Sequence, residues 1–261
     1  MTTPRRPGFP ARLGPASGPA PQARKPALSA AQRPGAVAAR PQGVGLDSSA
    51  VRAGMVRKLA QQGVTDARVL AAMGQVERHR FVDSALVNQA YEDTSLPIGL
   101  GQTISKPSVV ARMAELLVGG VTGADGRLGR VLEIGTGCGY QAAVLGLLAA
   151  EVYSIERLRG LHDRARENLR PFRLANVHLL FGDGMAGYPK GAPYAGIIAA
   201  AGGDAVPQAW IDQLAVGGRI VAPMVTAAGH QALVLIEKTS TRLQQTVLES
   251  VHFVPLKSGI A

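Results

Sequence analysis

The sequence is poor in cysteine and has no long apolar run. Cys138 is the one cysteine among 261 residues, so an internal disulfide is excluded and a reducing compartment is expected. No apolar run approaches the roughly 20 residues that a membrane-spanning helix needs. The arginines near the amino terminus are not followed by the apolar core of a secretory signal. We therefore expect a cytoplasmic protein without a membrane partner.

Acidic residues are absent from the amino-terminal segment. Residues 1–46 contain seven Lys or Arg residues, no Asp or Glu, and nine of the 17 prolines. They carry +7 of the net charge of +10, which leaves +3 for residues 47–261. Such a composition buries too little apolar surface to offset chain entropy, so a disordered basic tail is predicted. The tail lacks interleaved aromatic residues that would stack on bases, so no specific nucleic-acid partner is expected.

From about residue 50 onward, helical and strand patterns alternate. They predict an α/β fold: a Rossmann-like, mostly parallel, doubly wound sheet with an antiparallel edge and an amino-terminal helical layer, all within a single domain over 47–261. Residues 97–107 are rich in Gly and Pro and are predicted to form a long functional loop. Helices are predicted over 51–62, 66–76, 85–91, 108–118, 140–149, 158–169 and 207–214, and strands over 130–134, 151–155, 177–181, 195–200, 219–224, 231–238 and 244–254.

Residues 131–141 (VLEIGTGCGYQ) have the pattern of a strand, a tight turn and a helix start. Alternating glycines allow positive φ angles and let a ligand approach the backbone. Open α/β sheets bind their ligands at the carboxyl ends of such strands. Tyr140, however, stands where a dinucleotide site has its third glycine. The pattern therefore predicts a nucleotide-like ligand other than NAD.

Three acidic residues end predicted strands near this turn. Glu156 follows Gly135 by 21 positions, a spacing suited to accepting hydrogen bonds from both hydroxyls of a ribose. Asp183 closes the next strand and is expected beside an adenine. Glu133 favours a ligand that carries positive charge near the turn. S-adenosyl-L-methionine (AdoMet), which has a sulfonium and no pyrophosphate, is the ligand that fits.

Several segments together resemble the protein-L-isoaspartate (D-aspartate) O-methyltransferase family, over roughly residues 50–257. The most specific is the Gln-Thr-Ile-Ser sequence that ends at Ser105 and is followed by Pro107, because AdoMet motifs alone occur in many unrelated methyltransferases. The other matching segments are 80–82, 90–93, 96–101, 132–142, 153–156, 182–184, Gly187, Pro207, 213–214, 217–218 and 253–256.

The resemblance implies an enzyme that methylates the free carboxylate of L-isoaspartyl and D-aspartyl residues and so initiates repair of damaged proteins. AdoMet would be the methyl donor, S-adenosyl-L-homocysteine the product and isoaspartyl proteins or peptides the substrates; a monomer without a metal is expected. By position, Ser105 would be catalytic, and Gln102, Ile104 and Val254 would bind substrate. The cofactor-binding residues would be Thr103, Glu133, Gly135, Thr136, Gly137, Gly139, Gln141, Glu156, Asp183 and Gly184.

Methyl transfer to a carboxylate agrees with the residues near the predicted loop. A carboxylate with a pKa of about 4 is already ionised near neutral pH, so no general base is needed. No His/Asp pair is predicted near the loop, and His79 and His162 are expected to serve packing or the surface. Ser105 lies just before a helix, where its hydroxyl and free N–H groups can hold a carboxylate. The alternative is that Ser105 is simply the helix N-cap.

Two departures from the family pattern keep other functions open. Ala195 replaces an acidic residue, and Ala200 lies where the family often has a polar strand end; both are expected near the carboxyl edge of the sheet. Lys106 adds a cation that could attract the substrate carboxylate. The alternatives are a carboxyl methyltransferase for a specialised peptide or small molecule, and a non-catalytic protein that binds AdoMet or nucleic acid. The retained acidic residues and the Ser105 loop argue against lost catalysis.

Overall fold

The computed structural model describes residues 49–120 and 122–261. The prediction of a disordered tail over 1–46 lies outside the described residues. The helices are α1 (Ser49–Gln61), α2 (Ala67–Gln75), α3 (Pro107–Val118), α4 (Tyr140–Leu148), α5 (Arg159–Leu169) and α6 (Gln208–Gln213), and the strands are β1 (Leu96–Gly99), β2 (Gln102–Ile104), β3 (Leu128–Ile134), β4 (Ala149–Glu156), β5 (Val177–Phe181), β6 (Tyr194–Ala199), β7 (Leu214–Val225), β8 (Gln231–Lys238) and β9 (Leu243–Ser250).

Seven strands form one sheet in the order β5-β4-β3-β6-β7-β8-β9. The pairs from β5 to β7 are parallel, whereas β8 pairs antiparallel with both β7 and β9. The predicted α/β fold with an antiparallel edge is thereby confirmed. The chain runs outward from β3 to β5 and then returns to the other side of β3 with β6. This reversal creates a switch point at the carboxyl end of β3, where open sheets of this kind bind ligands.

Each face of the sheet is covered by helices. On one face, α4 lies between β3 and β4 in sequence and is buried almost all around, and α1 to α3 add the amino-terminal helical layer. On the other face, Trp210 of α6 is fully buried and its indole N–H donates to the carbonyl of Gly184 at 2.8 Å. None of the described helices combines the length and the hydrophobicity that crossing a membrane requires.

The predicted loop over 97–107 is wrong in one respect, because most of it is a β-hairpin. Leu96 pairs with Ile104 across the antiparallel strands β1 and β2. Leu96 and Ile98 are buried while the residues after them are exposed, an alternation that the Gly and Pro content hid. The hairpin turns at residues 99–101, where the φ angle of Leu100 is 52°, between two glycines at 90° and 69°.

Other boundaries differ by a few residues. The segment predicted as a helix over 85–91 is a 3-10 helix (Ser84–Gln89). Strand β7 begins at Leu214, before the glycine pair 217–218, because a register shift between Tyr194 and Gly196 lets the pairing with β6 continue across the pair. Strand β9 ends at Ser250. The chain then turns towards the switch point instead of extending the sheet edge to residue 254.

Candidate active site

A cavity of about 480 Å3 lies at the carboxyl ends of β3 and β4. Its size falls within the range typical of small-molecule sites. The glycine turn, the β1–β2 hairpin, the end of β4 and the segment 254–257 form its walls. The predicted site residues that line it are Gln102, Thr103, Ile104, Ser105, Gly135, Thr136, Gly137, Gln141, Glu156, Gly184 and Val254.

The glycine turn connects β3 to α4 with three left-handed residues. Gly135, Gly137 and Gly139 have φ angles of 89°, 56° and 92°. Gly135 and Gly137 line the cavity, but Gly139 does not. A Cβ on Gly139 would lie 3.0 Å from the side chain of Leu169, so this glycine lets α4 approach α5. Gly139 therefore has a packing role in this structure, and its contact with the cofactor stays a prediction.

Glu156 ends β4 with its carboxylate turned toward the glycine turn. One carboxylate oxygen accepts the N–H of Gly137 and the other accepts the N–H of Leu158, both at 2.9 Å. The residue is only 5% exposed, yet it lines the cavity. Each oxygen has a second lone pair. The carboxylate is therefore held in one orientation and can still accept two hydroxyl groups from a ligand.

Replacing Glu156 by glutamine is expected to weaken AdoMet binding by roughly 30-fold, because a charge-assisted hydrogen bond contributes about 2 kcal/mol. Gln also presents an N–H₂ group to one of the two backbone N–H donors. Isothermal titration calorimetry measures this dissociation constant. The exposed Glu167 provides the matched control as Glu167→Gln, and equal affinities of the two variants would contradict the role of Glu156.

Glu133 does not line the cavity, and its contact with the cofactor stays a prediction. Its side chain is fully buried and hydrogen-bonds to Ser154, whose hydroxyl lies 2.6 Å from that of Thr136. Its second oxygen has no hydrogen-bond partner, and neither does the buried amide nitrogen of Gln141. Burial, opposed by the hydrogen bond from Ser154, raises the pKa of Glu133 to about 8. Glu133 thus lies behind the wall and is linked through Ser154 to Thr136, which does line the cavity.

Asp183 is also placed behind the cavity wall and not in it. One carboxylate oxygen accepts the N–H of Met185 at 2.8 Å and the other accepts the N–H of Gly259 at 2.6 Å. The carbonyl of Gly259 in turn accepts from Arg157 at 2.9 Å. Asp183 therefore ties the segment 254–261 across the ends of β4 and β5. Its neighbour Gly184 lines the cavity, and a Cβ on Gly184 would lie 2.5 Å from the side chain of Ile134.

Ser105 lies where the large cavity meets a smaller one of about 170 Å3. Four residues line both cavities: Thr103, Ser105, Ala200 and Val254. The alternative that Ser105 caps α3 is wrong, because Lys106 occupies the N-cap position and no side-chain capping bond is made there. The Ser105 hydroxyl therefore remains available to a ligand in either cavity.

One of the N–H groups that were expected to be free at the start of α3 is occupied by Asp93. Its carboxylate accepts the N–H of Ser108 at 2.9 Å, and Pro107 has no N–H to offer. The helix start therefore has fewer free N–H groups than predicted. Asp93 lies 15 residues from Ser108, so no local capping pattern indicated this contact.

The two departures from the family pattern separate in space. Ala195 lies near the amino end of β6 beside Gly129 and lines neither cavity, so its predicted place near the carboxyl edge is wrong. Ala200 follows the carboxyl end of β6 and lines both cavities. Of the two, Ala200 alone is placed to affect a ligand.

Some residues of the cavity walls could not be predicted from the glycine turn or from the acidic strand ends. Leu158 and Leu161 follow β4, and Pro255 to Lys257 come from the segment after β9. His252 lines the smaller cavity near Ser105. Among the described residues no group of three or more His, Cys, Asp or Glu side chains is placed to hold a metal ion. Cys138 is buried and burial raises its pKa to about 11, which makes it a poor nucleophile.

The parallel sheet, the glycine turn at its switch point and the acidic residue that closes the neighbouring strand define a Rossmann-like methyltransferase class. Residues 50–261 match the family model described as protein-L-isoaspartate(D-aspartate) O-methyltransferase. A protein-L-isoaspartate O-methyltransferase of Methylibium petroleiphilum is 61% identical over 221 residues, which cover 84% of this chain and 81% of that protein. The chain belongs to the protein-L-isoaspartate (D-aspartate) O-methyltransferase family.

Solved structures agree with this assignment. A structure named protein-L-isoaspartate O-methyltransferase has a TM-score of 0.71 at 30% identity and covers 80% of this chain and 67% of its own. A β-aspartate methyltransferase structure from Plasmodium falciparum, in complex with S-adenosyl-L-homocysteine, has a TM-score of 0.67 at 22% identity, with 79% of this chain and 98% of that chain covered. At that identity the second likeness shows the fold alone.

Proposed function

We propose that this protein transfers the methyl group of AdoMet to the free carboxylate of L-isoaspartyl and D-aspartyl residues in damaged proteins. The observation that carries this proposal is the meeting of two cavities at Ser105. In the larger cavity Gly135, Gly137 and Glu156 form a cradle suited to a nucleoside ligand. The smaller cavity offers a separate approach to the Ser105 hydroxyl. Relatives that share more than half of the residues carry the name of this activity.

The residues of the larger cavity fit AdoMet. Glu156 is held with two lone pairs free for the ribose hydroxyls. The buried amide nitrogen of Gln141 has no partner on the cavity wall and suits the carboxylate of the methionine part. Leu158 and Leu161 supply apolar surface suited to an adenine. When bound, AdoMet supplies a methyl group activated by the adjacent sulfonium.

The protein's own contribution is placement of the substrate. An ionised carboxylate is itself the nucleophile, so no residue has to remove a proton. The Ser105 hydroxyl can donate a hydrogen bond to one carboxylate oxygen and direct the other toward the cofactor cavity. The β1–β2 hairpin covers the site and limits the access of water. Proximity and orientation of this kind can contribute several kcal/mol to the lowering of a barrier.

The direct test is methyl transfer from labelled AdoMet to a peptide that contains isoaspartate, beside the same peptide with ordinary aspartate. We expect label on the isoaspartyl peptide alone, and its release as methanol on base treatment, because the product is a methyl ester. AdoMet binding is measured on the same sample by calorimetry. An unlabelled isoaspartyl peptide, from a protein that binds AdoMet, would refute the proposed function.

A specialised peptide or small-molecule carboxylate is a weaker candidate substrate. Its support was the pair of departures at Ala195 and Ala200, and Ala200 alone lines the cavities. We further propose that the protein acts in the cytoplasm as a monomer. Its single free cysteine supports a reducing compartment. Sedimentation velocity would measure the mass in solution.

A further inference from the structure

The smaller cavity beside Ser105 has an uneven charge. Lys106 and His252 line it, together with Ser95 and Ser250. None of the described residues that line it is acidic. Lys106 is exposed and forms no ion pair with any described residue. The cavity is therefore lined by a lysine, a histidine and hydroxyl-bearing residues, and by no described acidic residue.

Two carboxylates that neighbour these residues in the sequence make other contacts. Asp93 accepts the N–H of Ser108, which follows Lys106 by two residues. Glu249, next to Ser250, pairs with Arg112 at 3.0 Å. Neither carboxylate lines the smaller cavity. Neither carboxylate pairs with Lys106, so the Lys106 side chain can pair with a carboxylate of a ligand.

The position of Lys106 relates this charge to the substrate chain. Ser105 and Lys106 are consecutive, and both line the smaller cavity. A peptide whose isoaspartyl carboxylate meets Ser105 therefore brings an adjacent residue within reach of the Lys106 side chain. This step rests on the proposed function.

We propose that Lys106 is a specificity-determining residue that makes the enzyme prefer isoaspartyl sites with an acidic residue immediately before or after the isoaspartate. The partner is a peptide carboxylate that enters the smaller cavity, where His252 and the serine hydroxyls add hydrogen-bond donors. The isoaspartyl carboxylate itself remains the partner of Ser105.

The test compares kcat/KM for isoaspartyl peptides that have Glu at one flanking position with that for twins that have Gln there. We expect the wild-type protein to prefer the better placed Glu peptide by about threefold, the size of an exposed ion pair. Lys106→Met should bring this ratio to about one, and Lys106→Glu should invert it. The preference should also vanish at about 1 M NaCl, where screening acts within roughly 3 Å.

Lys190→Met, at an exposed lysine remote from both cavities, is the matched control and should keep the wild-type ratio.

The outcomes separate this proposal from the proposed function. If the Gln peptides are methylated but the ratio is one in the wild type, or is the same in the Lys106 variants, the specificity role is refuted. An equal loss of activity on both peptides in Lys106→Met refutes it too, since Lys106 would then act on the isoaspartyl carboxylate itself. If no isoaspartyl peptide is methylated, the proposed function fails, and this proposal with it.

Discussion

Replacing Ser105 by alanine is expected to lower kcat for isoaspartyl peptides by about 100-fold, the loss typical of removing one preorganised hydrogen-bond donor. Ser105 lies at the junction of the two cavities, and its hydroxyl makes no capping bond to α3. Its removal leaves the start of that helix intact, because Asp93 supplies the contact there. AdoMet should bind to the variant with nearly unchanged affinity, since the cradle of Gly135, Gly137 and Glu156 is untouched.

The measurement is steady-state kinetics on an isoaspartyl peptide combined with calorimetry of AdoMet binding. Ser240→Ala, at an exposed turn residue between β8 and β9, is the matched control and should behave as the wild type. A Ser105→Ala variant with wild-type kcat would remove the hydroxyl from the mechanism. Parallel losses in kcat and AdoMet affinity would show that Ser105 supports the cradle instead of the substrate.

Replacing Glu133 by glutamine is expected to remove a large pH dependence of stability. Burial raises the pKa of Glu133 from its ordinary 4.5 to about 8. Between these two values the folded protein holds a proton that the unfolded chain has released. The free energy of unfolding of the wild type therefore falls as pH rises through this window. The equilibrium constant for folding decreases about tenfold for each pH unit. The neutral amide of glutamine does not titrate, so it adds no such pH dependence to the free energy of unfolding.

The free energy of unfolding of Glu133→Gln, relative to that of the wild type, is thus expected to rise by roughly 4 kcal/mol between about pH 5 and pH 8. The amide can still accept from Ser154, and the Gln141 side chain can turn to present its oxygen to the new N–H₂ group. Urea unfolding at a series of pH values measures the effect. Glu167→Gln, at an exposed acid, is the control and should follow the wild type. Parallel curves for Glu133→Gln and the wild type would show that Glu133 is ionised in the folded protein.

Much of the fold could be predicted because short-range patterns determine it. Strand β5 and strand β8 were predicted with their observed ends, since apolar β-branched runs bounded by polar or Gly residues leave little choice. The β1–β2 hairpin was not predicted. Its stability depends on burying Leu96, Ile98 and Ile104 against the rest of the protein, which no property of an 11-residue Gly- and Pro-rich stretch reveals.

Some residues of the predicted site are placed by local spacing, and others by contacts with residues far away in the chain. Gly135, Gly137 and Glu156 were placed at the cavity by their spacing alone, because a strand, a turn and the next parallel strand bring them to one edge of the sheet. Glu133 and Asp183 were predicted as ligand contacts and lie behind the wall. A strand-end carboxylate can turn to either side, and the choice depends on Ser154 and Gly259, residues 21 and 76 positions away.

The sequence by itself determined the family and the methyl donor, and it predicted Ser105 as the catalytic residue. The resemblance to the family rests on motifs of a few consecutive residues, which are visible before the chain folds. The tertiary structure alone decided that two cavities meet at Ser105, that Lys106 lines the smaller one with no acidic partner among the described residues, and that Asp183 holds the segment 254–261. Each of these depends on contacts between residues far apart in the chain, and such contacts exist only once the sheet and its covering layers have packed.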